Sequence, residues 1–301
     1  DACSSTRRTT ASVSRSSTTA PNASSSKARA TAATDPVIVG IDHVVIGVRD
    51  LDTGIHACET LLGLRAGARA ERDGVATALI ATPNVAVELM APLGESDGAA
   101  RLRAAIDDGG EGLKSLVFAT GDIERAHRHA ARVGLEPEAI TTRETWRSFR
   151  LNTERTHGVR VFVLQREVTL DVAHSSQGVT ALDHVVVRSA DMERAAALYG
   201  ARLGLDMRLD RDVAGRRLMF FRAGDTVVEI VEDKRADGRD RLWGLSWRVA
   251  AADTARARLA QAQLDVSEVR PGMKPGTRVF TVRDGTCGAP TLMIETGPAR
   301  D

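Results

Sequence analysis

An internal repeat at a constant spacing of 141 residues is the feature that most constrains the fold of this sequence. Three motifs recur at that spacing: IDHVVI of 41–46 as LDHVVV of 182–187, LGL of 62–64 as LGL of 203–205, and VEL of 87–89 as VEI of 228–230. Matches at one spacing without a gap predict two copies of one module.

A weaker repeat divides each module again. The segment 126–135 is similar to 255–264, so the later part of each half also repeats. We therefore predict module one over 37–168, a linker over 169–177 and module two over 178–298. The order strand, helix, strands occurs four times, which predicts an α+β fold with sheets curved around a cup and helices outside.

Four helices are predicted from their apolar spacing and their end signals. The first begins at Asp50 or Asp52, which can cap it, and ends before Gly63, because glycine is favoured just past a helix. The other three are predicted at 122–133, 191–203 and 253–262.

The first 36 residues are rich in Ser, Thr, Ala and Arg and poor in acidic and large apolar side chains. Such a segment buries too little surface to offset its ordering entropy, so it is predicted to be disordered. A linker or leader remnant is the favoured interpretation, and an organelle transit peptide is the alternative.

Composition excludes several classes of partner for the remaining chain. The formal net charge is +1 for the whole chain and −2 without the first 36 residues, which disfavours nucleic acid and anionic membranes because these attract strongly basic proteins. The sequence contains no run of 18 apolar residues, the length that a membrane-spanning helix requires. Cys3, Cys58 and Cys287 are widely scattered, which favours neither a disulfide framework nor a zinc cluster and suggests a cytoplasmic protein.

The repeated motifs resemble the vicinal oxygen chelate (VOC) superfamily, which includes glyoxalases, epimerases, extradiol dioxygenases and bleomycin-resistance proteins. VELMAPL of 87–93, followed by GEGL of 110–113, makes module one similar to the methylmalonyl-CoA epimerase branch. The resemblance implies two βαβββ units per module, four in total, whose curved mixed sheets form two cups. In active members a cup holds a divalent metal.

Carried over by motif, the resemblance implies four metal ligands: His43 and Glu88 in module one, and His184 and Glu229 in module two. Strand periodicity is compatible with this, because His43 alternates with the aliphatic Val44 and Ile46. The second unit of each module departs from the family pattern. Ser115 and Phe162 stand at its ligand positions in module one; Leu292, with Gly244 or Ser246, stands there in module two.

The function implied by the resemblance is that of a divalent-metal-dependent lyase or isomerase acting on a small carbonyl compound. Zn, Ni, Co, Mn or Fe would stabilise the enolate, and Glu88 or Glu229 would serve as the base. The alternative is a metal-free binding or sequestering protein of the bleomycin-resistance type. A mixed case has one active and one structural module, and an extradiol dioxygenase is disfavoured because each cup lacks a second histidine.

Further residues are predicted to contact a small-molecule ligand. Ser115 lies at a ligand position, and Trp243 and Trp247, four apart on a strand, are expected to share a face and line a pocket. Core packing is the alternative for the two tryptophans. The basic set Arg143, Arg147, Arg150 and Arg155 could bind an anion or form a solvated face. The oligomeric state is left open between a monomer of two modules and a homodimer.

Overall fold

The computed structural model describes residues 36–172, 177–235 and 237–297. Residues 1–35 of the predicted tail and 173–176 of the predicted linker lie outside the described residues. The described chain forms two eight-stranded sheets, one built from residues 40–166 and the other from 181–296.

The strands of the first sheet are β1 (Gly40–Gly47), β2 (Arg69–Arg72), β3 (Val75–Ala81), β4 (Ala86–Pro92), β5 (Gly112–Ala119), β6 (Thr141–Thr142), β7 (Trp146–Arg150) and β8 (Val161–Arg166). Their spatial order is β2-β3-β4-β1-β5-β8-β7-β6. The β1–β4 and β5–β8 contacts are parallel, whereas β1 and β5 pair antiparallel. Two units are therefore joined through their first strands.

The second sheet repeats this arrangement. Its strands are β9 (Ala181–Ser189), β10 (Asp206–Val213), β11 (Arg216–Ala223), β12 (Thr226–Glu232), β13 (Arg241–Val249), β14 (Arg270–Pro271), β15 (Thr277–Val282) and β16 (Thr291–Thr296). The order β10-β11-β12-β9-β13-β16-β15-β14 matches that of the first sheet. The predicted α+β class with two curved mixed sheets is thus confirmed.

The helices are α1 (Leu51–Leu62), α2 (Asp97–Gly109), α3 (Ile123–Arg132), α4 (Met192–Ala196), which continues as a π-helix over Ala197–Arg202, and α5 (Ala252–Gln261). Asp50 caps α1 by accepting from Thr53 N–H, and Gly63 ends it with a left-handed φ of 67°. In the described part of the chain, no helix combines the length and apolar composition that crossing a bilayer requires.

Five elements were not predicted from the sequence: helix α2 and the edge strands β2, β6, β10 and β14. Every residue of β2 and the first five of β10 are exposed, so these edge strands carry no buried alternation for a sequence pattern to detect. Helix α2 packs Leu102 and Ile106 against Val75 and Met90 of the first sheet. No counterpart to α2 is found among the described residues between β12 and β13.

The two faces of each sheet have different roles. Aliphatic residues on the helix-covered face, among them Val44, Ile46, Val87 and Leu89, belong to one core cluster that continues through both modules. On the opposite face of the first sheet, Val45, Val117 and Leu164 form a separate small cluster with Met90, Trp146 and Phe162. This second face is the concave interior of module one, called cup one below; its equivalent in module two is cup two.

The modules are joined by more than the shared core. Arg258 of α5 donates to the carbonyl of Leu61 at 2.9 Å, at the end of α1. Arg202, in the π-helix, donates in the same way to the carbonyl of Val133 at 3.0 Å, just past α3. Because each arginine satisfies a helix C-terminus of the other module, unit one packs with unit four and unit two with unit three.

Candidate functional site

Cup one contains a histidine–carboxylate pair from adjacent strands. The parallel β1–β4 register sets Val45 beside Glu88, so His43 and Glu88 project from the same face. His43 Nε2 lies 3.4 Å from Glu88 Oε2. The side chain of His43 is 9% exposed and that of Glu88 is 28% exposed, so the carboxylate is the member that a ligand can reach.

A second carboxylate holds the other side of the His43 ring. His43 Nδ1 donates to Asp42 Oδ1 at 2.6 Å, and Arg166 of β8 donates through Nε to Asp42 Oδ2 at 2.9 Å. Burial alone would raise the pKa of Asp42, but hydrogen bonds from His43 and Arg166 lower it to about 2. The result is a chain of four charged groups, Arg166, Asp42, His43 and Glu88.

The imidazole of His43 is positively charged at neutral pH. Burial alone would lower the pKa of His43, but hydrogen bonds and charge interactions with Asp42 and Glu88 raise it to about 9. An imidazolium bracketed by two carboxylates is compensated, which explains how it is tolerated in the interior.

Cup two repeats this chain with a closer contact between the histidine and the glutamate. His184 Nε2 lies 3.0 Å from Glu229 Oε2, and His184 Nδ1 lies 2.9 Å from Asp183, which accepts from Arg248 Nε at 2.7 Å. Burial opposes a rise in the pKa of His184, yet bonds to both carboxylates raise it to about 9.

The glutamate of cup two is less accessible than that of cup one. Ser246 Oγ lies 2.7 Å from His184 Nε2, a contact for which cup one has no counterpart among the described residues. The Glu229 side chain is only 10% exposed. The polar atoms of cup two therefore satisfy one another, whereas Glu88 in cup one remains accessible.

The remaining family ligand positions hold no metal-binding side chains. The parallel β5–β8 contact pairs Val117 with Phe162 as β1–β4 pairs Val45 with Glu88, so Ser115 and Phe162 are equivalent to His43 and Glu88. In module two, Leu292 pairs with Ser246, and Gly244 lies two residues before Ser246. By the same reasoning Gly244 and Leu292 are equivalent to His184 and Glu229.

Each cup provides only part of the ligand set that a divalent metal requires. An aspartate that orients a histidine, as Asp42 orients His43, is the usual outer partner of a metal-binding imidazole. Catalytic sites need about three protein ligands, however, and the described residues contain no cluster of three or more His, Cys, Asp or Glu suited to a metal. Each cup thus offers half of a family site, which does not fit a metal held by the protein alone.

An aromatic–cation group lies at the rim of cup one. Arg72 of edge strand β2 and Arg143, which follows the opposite edge strand β6, both lie over the ring of Trp146, at 5.6 and 6.0 Å from its centroid. The two edges of the sheet therefore approach each other across the cup. Trp146 and Arg72 escaped the sequence analysis because their proximity depends on the curvature of the sheet.

The predicted basic set divides into two kinds of residue. Arg147, Arg150 and Arg155 form ion pairs with Glu124, Glu138 and Glu136, respectively. Among the described residues, Arg143 and Arg72 have no carboxylate partner. Arg143 of the predicted set and Arg72 therefore have guanidinium groups available to an anion at the rim of cup one.

The expectation that Trp243 and Trp247 share a face is wrong. Strand β13 shifts its register against β9 between Leu242 and Gly244 and again between Ser246 and Trp247. Trp247 is 1% exposed and belongs to the core, whereas Trp243 is 39% exposed and lies 4.1 Å from the guanidinium carbon of Arg188. Trp247 is therefore a core residue, and ligand contact by Trp243 stays a prediction.

Comparison with known proteins agrees with this fold. A family model described as a glyoxalase-like domain matches residues 41–204, and one described as the glyoxalase/bleomycin resistance protein/dioxygenase superfamily matches 181–288. The chain belongs to the glyoxalase-like family of the VOC superfamily. A search of curated proteins gave no match.

Two solved structures are similar over most of the chain. A variant of 4-hydroxymandelate synthase from Streptomyces coelicolor is 15% identical, with a TM-score of 0.70, covering 88% of this chain and 94% of the other. The Mn(II)-bound glyoxalase from Novosphingobium aromaticivorans is 15% identical, with a TM-score of 0.62, covering 88% of this chain and 84% of the other. At this identity the likeness concerns the fold.

Proposed function

We propose that cup one binds a small, anionic carbonyl compound and transfers a proton at the carbon beside the carbonyl, as a lyase or isomerase. The observation that carries this proposal is the Asp42–His43–Glu88 chain, in which an accessible carboxylate lies beside a buried imidazolium in an apolar cup. Enolisation requires such a base and such an acid.

Each member of the chain has a distinct role in this proposal. Glu88 accepts the proton from carbon, and His43 Nε2 donates a hydrogen bond to the carbonyl oxygen as negative charge develops there. Asp42 holds the ring in place through Nδ1 and stabilises its positive charge. The apolar side chains around the pair exclude water, which strengthens these interactions.

The rim of cup one supports an anionic, partly apolar substrate. Arg72 and Arg143 offer guanidinium groups free of carboxylate partners in the described chain, while Trp146 and Phe162 offer aromatic surface. A carboxylate or phosphate at the rim and a hydrocarbon part inside would match this distribution. Ser115, opposite Val45 on β5, is the further polar side chain in reach of such a ligand.

In module two we assign the His184–Glu229 pair a structural role. The lower exposure of Glu229 and the contact of His184 with Ser246 support this assignment, which corresponds to the mixed case of one active and one structural module. Glu229 is accordingly the matched control for Glu88. Activity in both modules is the competing arrangement, and it predicts that Glu229→Gln also lowers turnover.

A metal-dependent form of this function is the expectation that the resemblance implied. Its protein ligands would be His43 and Glu88, with His184 and Glu229 in module two, and Zn, Ni, Co, Mn or Fe would act as a Lewis acid. The two-ligand donor sets favour a metal-free cup instead. Metal analysis of protein purified without chelator tests this. We expect less than about a tenth of an equivalent of bound metal per chain, with no increase when Mn or Zn is added.

A metal-free binding protein without catalysis is the second candidate function. Ser115 and Phe162 at the remaining ligand positions favour it, since they remove half of the family's metal site. Both candidates predict saturable binding of an anionic carbonyl compound in cup one. Only the enzyme predicts exchange of a carbon-bound proton.

Phenylpyruvate is the probe that separates these functions, because it combines a carboxylate, an aromatic ring and exchangeable protons beside a carbonyl. Proton NMR in D2O follows deuterium uptake by phenylpyruvate with the EDTA-treated full chain. We expect exchange above the buffer rate, about 100-fold slower in Glu88→Gln and unchanged in Glu229→Gln. Binding without exchange would support the binding protein, and neither binding nor exchange would contradict both functions for this class of compound.

The rim assignment has its own matched pair of variants. Arg72→Gln should weaken phenylpyruvate binding, whereas Arg147→Gln, which removes an arginine already paired with Glu124, should leave binding unchanged. Equal effects in the two variants would contradict a specific role for the rim. Isothermal titration calorimetry measures both.

We further propose a cytoplasmic protein whose partner is this small molecule rather than nucleic acid or membrane. The near-neutral charge and the scattered cysteines support this. The core shared by both modules supports a two-module monomer, and sedimentation velocity distinguishes it from a homodimer. The domain boundaries 37–168 and 178–298 stay predictions that limited proteolysis can test.

A further inference from the structure

The structure brings together two cysteines that lie 229 positions apart in the sequence. Cys58 of α1, in module one, and Cys287, in the loop before β16 of module two, are both free and buried, with their Sγ atoms 3.5 Å apart. The sequence spacing pointed to unrelated thiols. Their contact arises because unit one packs against unit four.

The loop that carries Cys287 is held firmly in place. Cys287 has a φ of 49°, a left-handed conformation that is uncommon for a residue other than glycine and persists where the surroundings impose it. The following Gly288 approaches Glu111 so closely that a Cβ would lie 2.3 Å from the Glu111 carbonyl oxygen. This packing fixes the Cys287 side chain against α1.

Only one of the two cysteines borders an opening. A cavity of about 360 Å3 is lined by α1 and by the 283–288 loop, and Cys287 is one of its lining residues whereas Cys58 is not. At its rim the exposed Thr53 and Arg283 are accompanied by the acidic Glu111 and Asp284. The rim therefore carries charges of both signs, which do not exclude a small neutral molecule.

We propose that Cys58 and Cys287 form a disulfide between the modules by exchange with a small-molecule disulfide that enters this cavity. Cys287 is the attacking sulfur because it lines the cavity, and Cys58 is the resolving sulfur because it lies behind it. The hydrogen bond between the thiols lowers the pKa of Cys287 and raises that of Cys58, which agrees with these roles.

The exchange proceeds in two balanced steps. The Cys287 thiolate attacks one sulfur of the incoming disulfide, a mixed disulfide forms, and the other sulfur leaves as a thiolate that takes a proton from water. Cys58 then loses its proton to water and attacks the Cys287 sulfur, which releases the second small thiol. Two protein thiols are oxidised and one small disulfide is reduced to two thiols.

The equivalent place on the other side of the molecule shows that this packing does not itself require sulfur. The 141-residue spacing relates Cys58 to Tyr199, and a spacing of 130 relates Cys287 to His157, which also has a positive φ, of 58°. The fold thus accommodates other side chains at these positions. The thiol pair is particular to the junction of units one and four.

The test uses 2-hydroxyethyl disulfide as the probe and the full chain carrying Cys3→Ser, so that only two thiols remain. Intact mass spectrometry under native reaction conditions should show the loss of two hydrogens without an adduct, and peptide mapping should show Cys58 linked to Cys287. Adding Cys58→Ser should trap one probe adduct on Cys287, and adding Cys287→Ser should slow the reaction about tenfold or more.

Three outcomes would overturn the proposal: stable adducts on both cysteines without a bridge, equal reaction rates for Cys58 and Cys287 in the single-cysteine chains, or no reaction unless urea is added. Thermal unfolding provides a second measurement that needs no serine variant at either position. The bridged chain should melt about 5 °C or more above the reduced chain, because the bridge constrains the unfolded state. An unchanged or lower Tm would contradict a bridge compatible with the native packing.

Discussion

The Arg166–Asp42–His43 contact in cup one should contribute far more to stability than its equivalent in cup two. Asp42→Asn removes the carboxylate that joins a guanidinium to an imidazolium. The side chains of Asp42, His43 and Arg166 are 9%, 9% and 19% exposed, so the remaining charges would be left without compensation in a poorly solvated place. Breaking such a buried pair costs about 3–5 kcal/mol.

Asp183→Asn is the matched control in the same chain. Asp183 makes the same contacts with His184 and Arg248, but its side chain is 25% exposed and that of Arg248 is 30% exposed. Water can therefore screen the charges that Asp183→Asn leaves behind, and we expect a loss of about 1–2 kcal/mol.

Equilibrium unfolding in urea measures both losses, followed by tryptophan fluorescence at neutral pH. The Asp42→Asn chain should unfold at a clearly lower urea concentration than the Asp183→Asn chain, with the same dependence on urea. If Asp42→Asn cost no more than Asp183→Asn, burial would not be what distinguishes the two contacts, and the reasoning would be refuted.

Three further results are expected. The folded pKa of His43, about 9, exceeds the ordinary 6.5, so the stability it contributes is complete below pH 6.5 and is lost as the pH rises through about 9; urea unfolding between pH 6 and 10 should show this decline, less steeply in His43→Asn. Trp247→Ala should cost about 3–5 kcal/mol of unfolding free energy, and Trp243→Ala less than about 1, by the same measurement. Ser115→His with Phe162→Glu should complete the ligand set of cup one and convert a chain with little bound metal into one that retains about one equivalent of Zn or Mn after dialysis; continued absence of metal would contradict the assignment of these positions.

The two cups illustrate how a duplicated site can diverge without losing its central residues. Both keep the Asp-His pair and a glutamate on the neighbouring strand, and both imidazoles have a pKa raised to about 9. In cup two, Ser246 Oγ contacts His184 Nε2, and Glu229 is largely covered. In cup one, helix α2 packs beside Met90 at one end, while Arg72 and Arg143 border the rim.

Much of the fold could be predicted from the sequence because it depends on local periodicity. The 141-residue spacing revealed the duplicated modules, and the alternation along IDHVVI showed that His43 lies opposite the face carrying Val44 and Ile46. Asp50 and Gly63 marked the ends of α1 because capping is a property of a few neighbouring residues.

Edge strands and α2 were less accessible to sequence reasoning. Strand β2 is exposed along its whole length, so its pairing with β3 is stabilised by backbone hydrogen bonds that any sequence can make. Helix α2 buries only Ala99, Leu102 and Ile106, and its remaining surface is polar or small. Patterns of this kind carry little information about secondary structure.

The sequence alone therefore determined the two modules, the repeated order of strand, helix and strands, and the alternation that separates His43 from Val44 and Ile46, because strand alternation and helix capping act over a few residues. Tertiary structure decided what meets across long separations. A register shift of β13 at Trp243 separated it from the buried Trp247, sheet curvature brought Arg72 to Trp146, and module packing brought Cys58 to Cys287. Bulges, curvature and packing between units arise from the whole chain at once, so no local pattern encodes them.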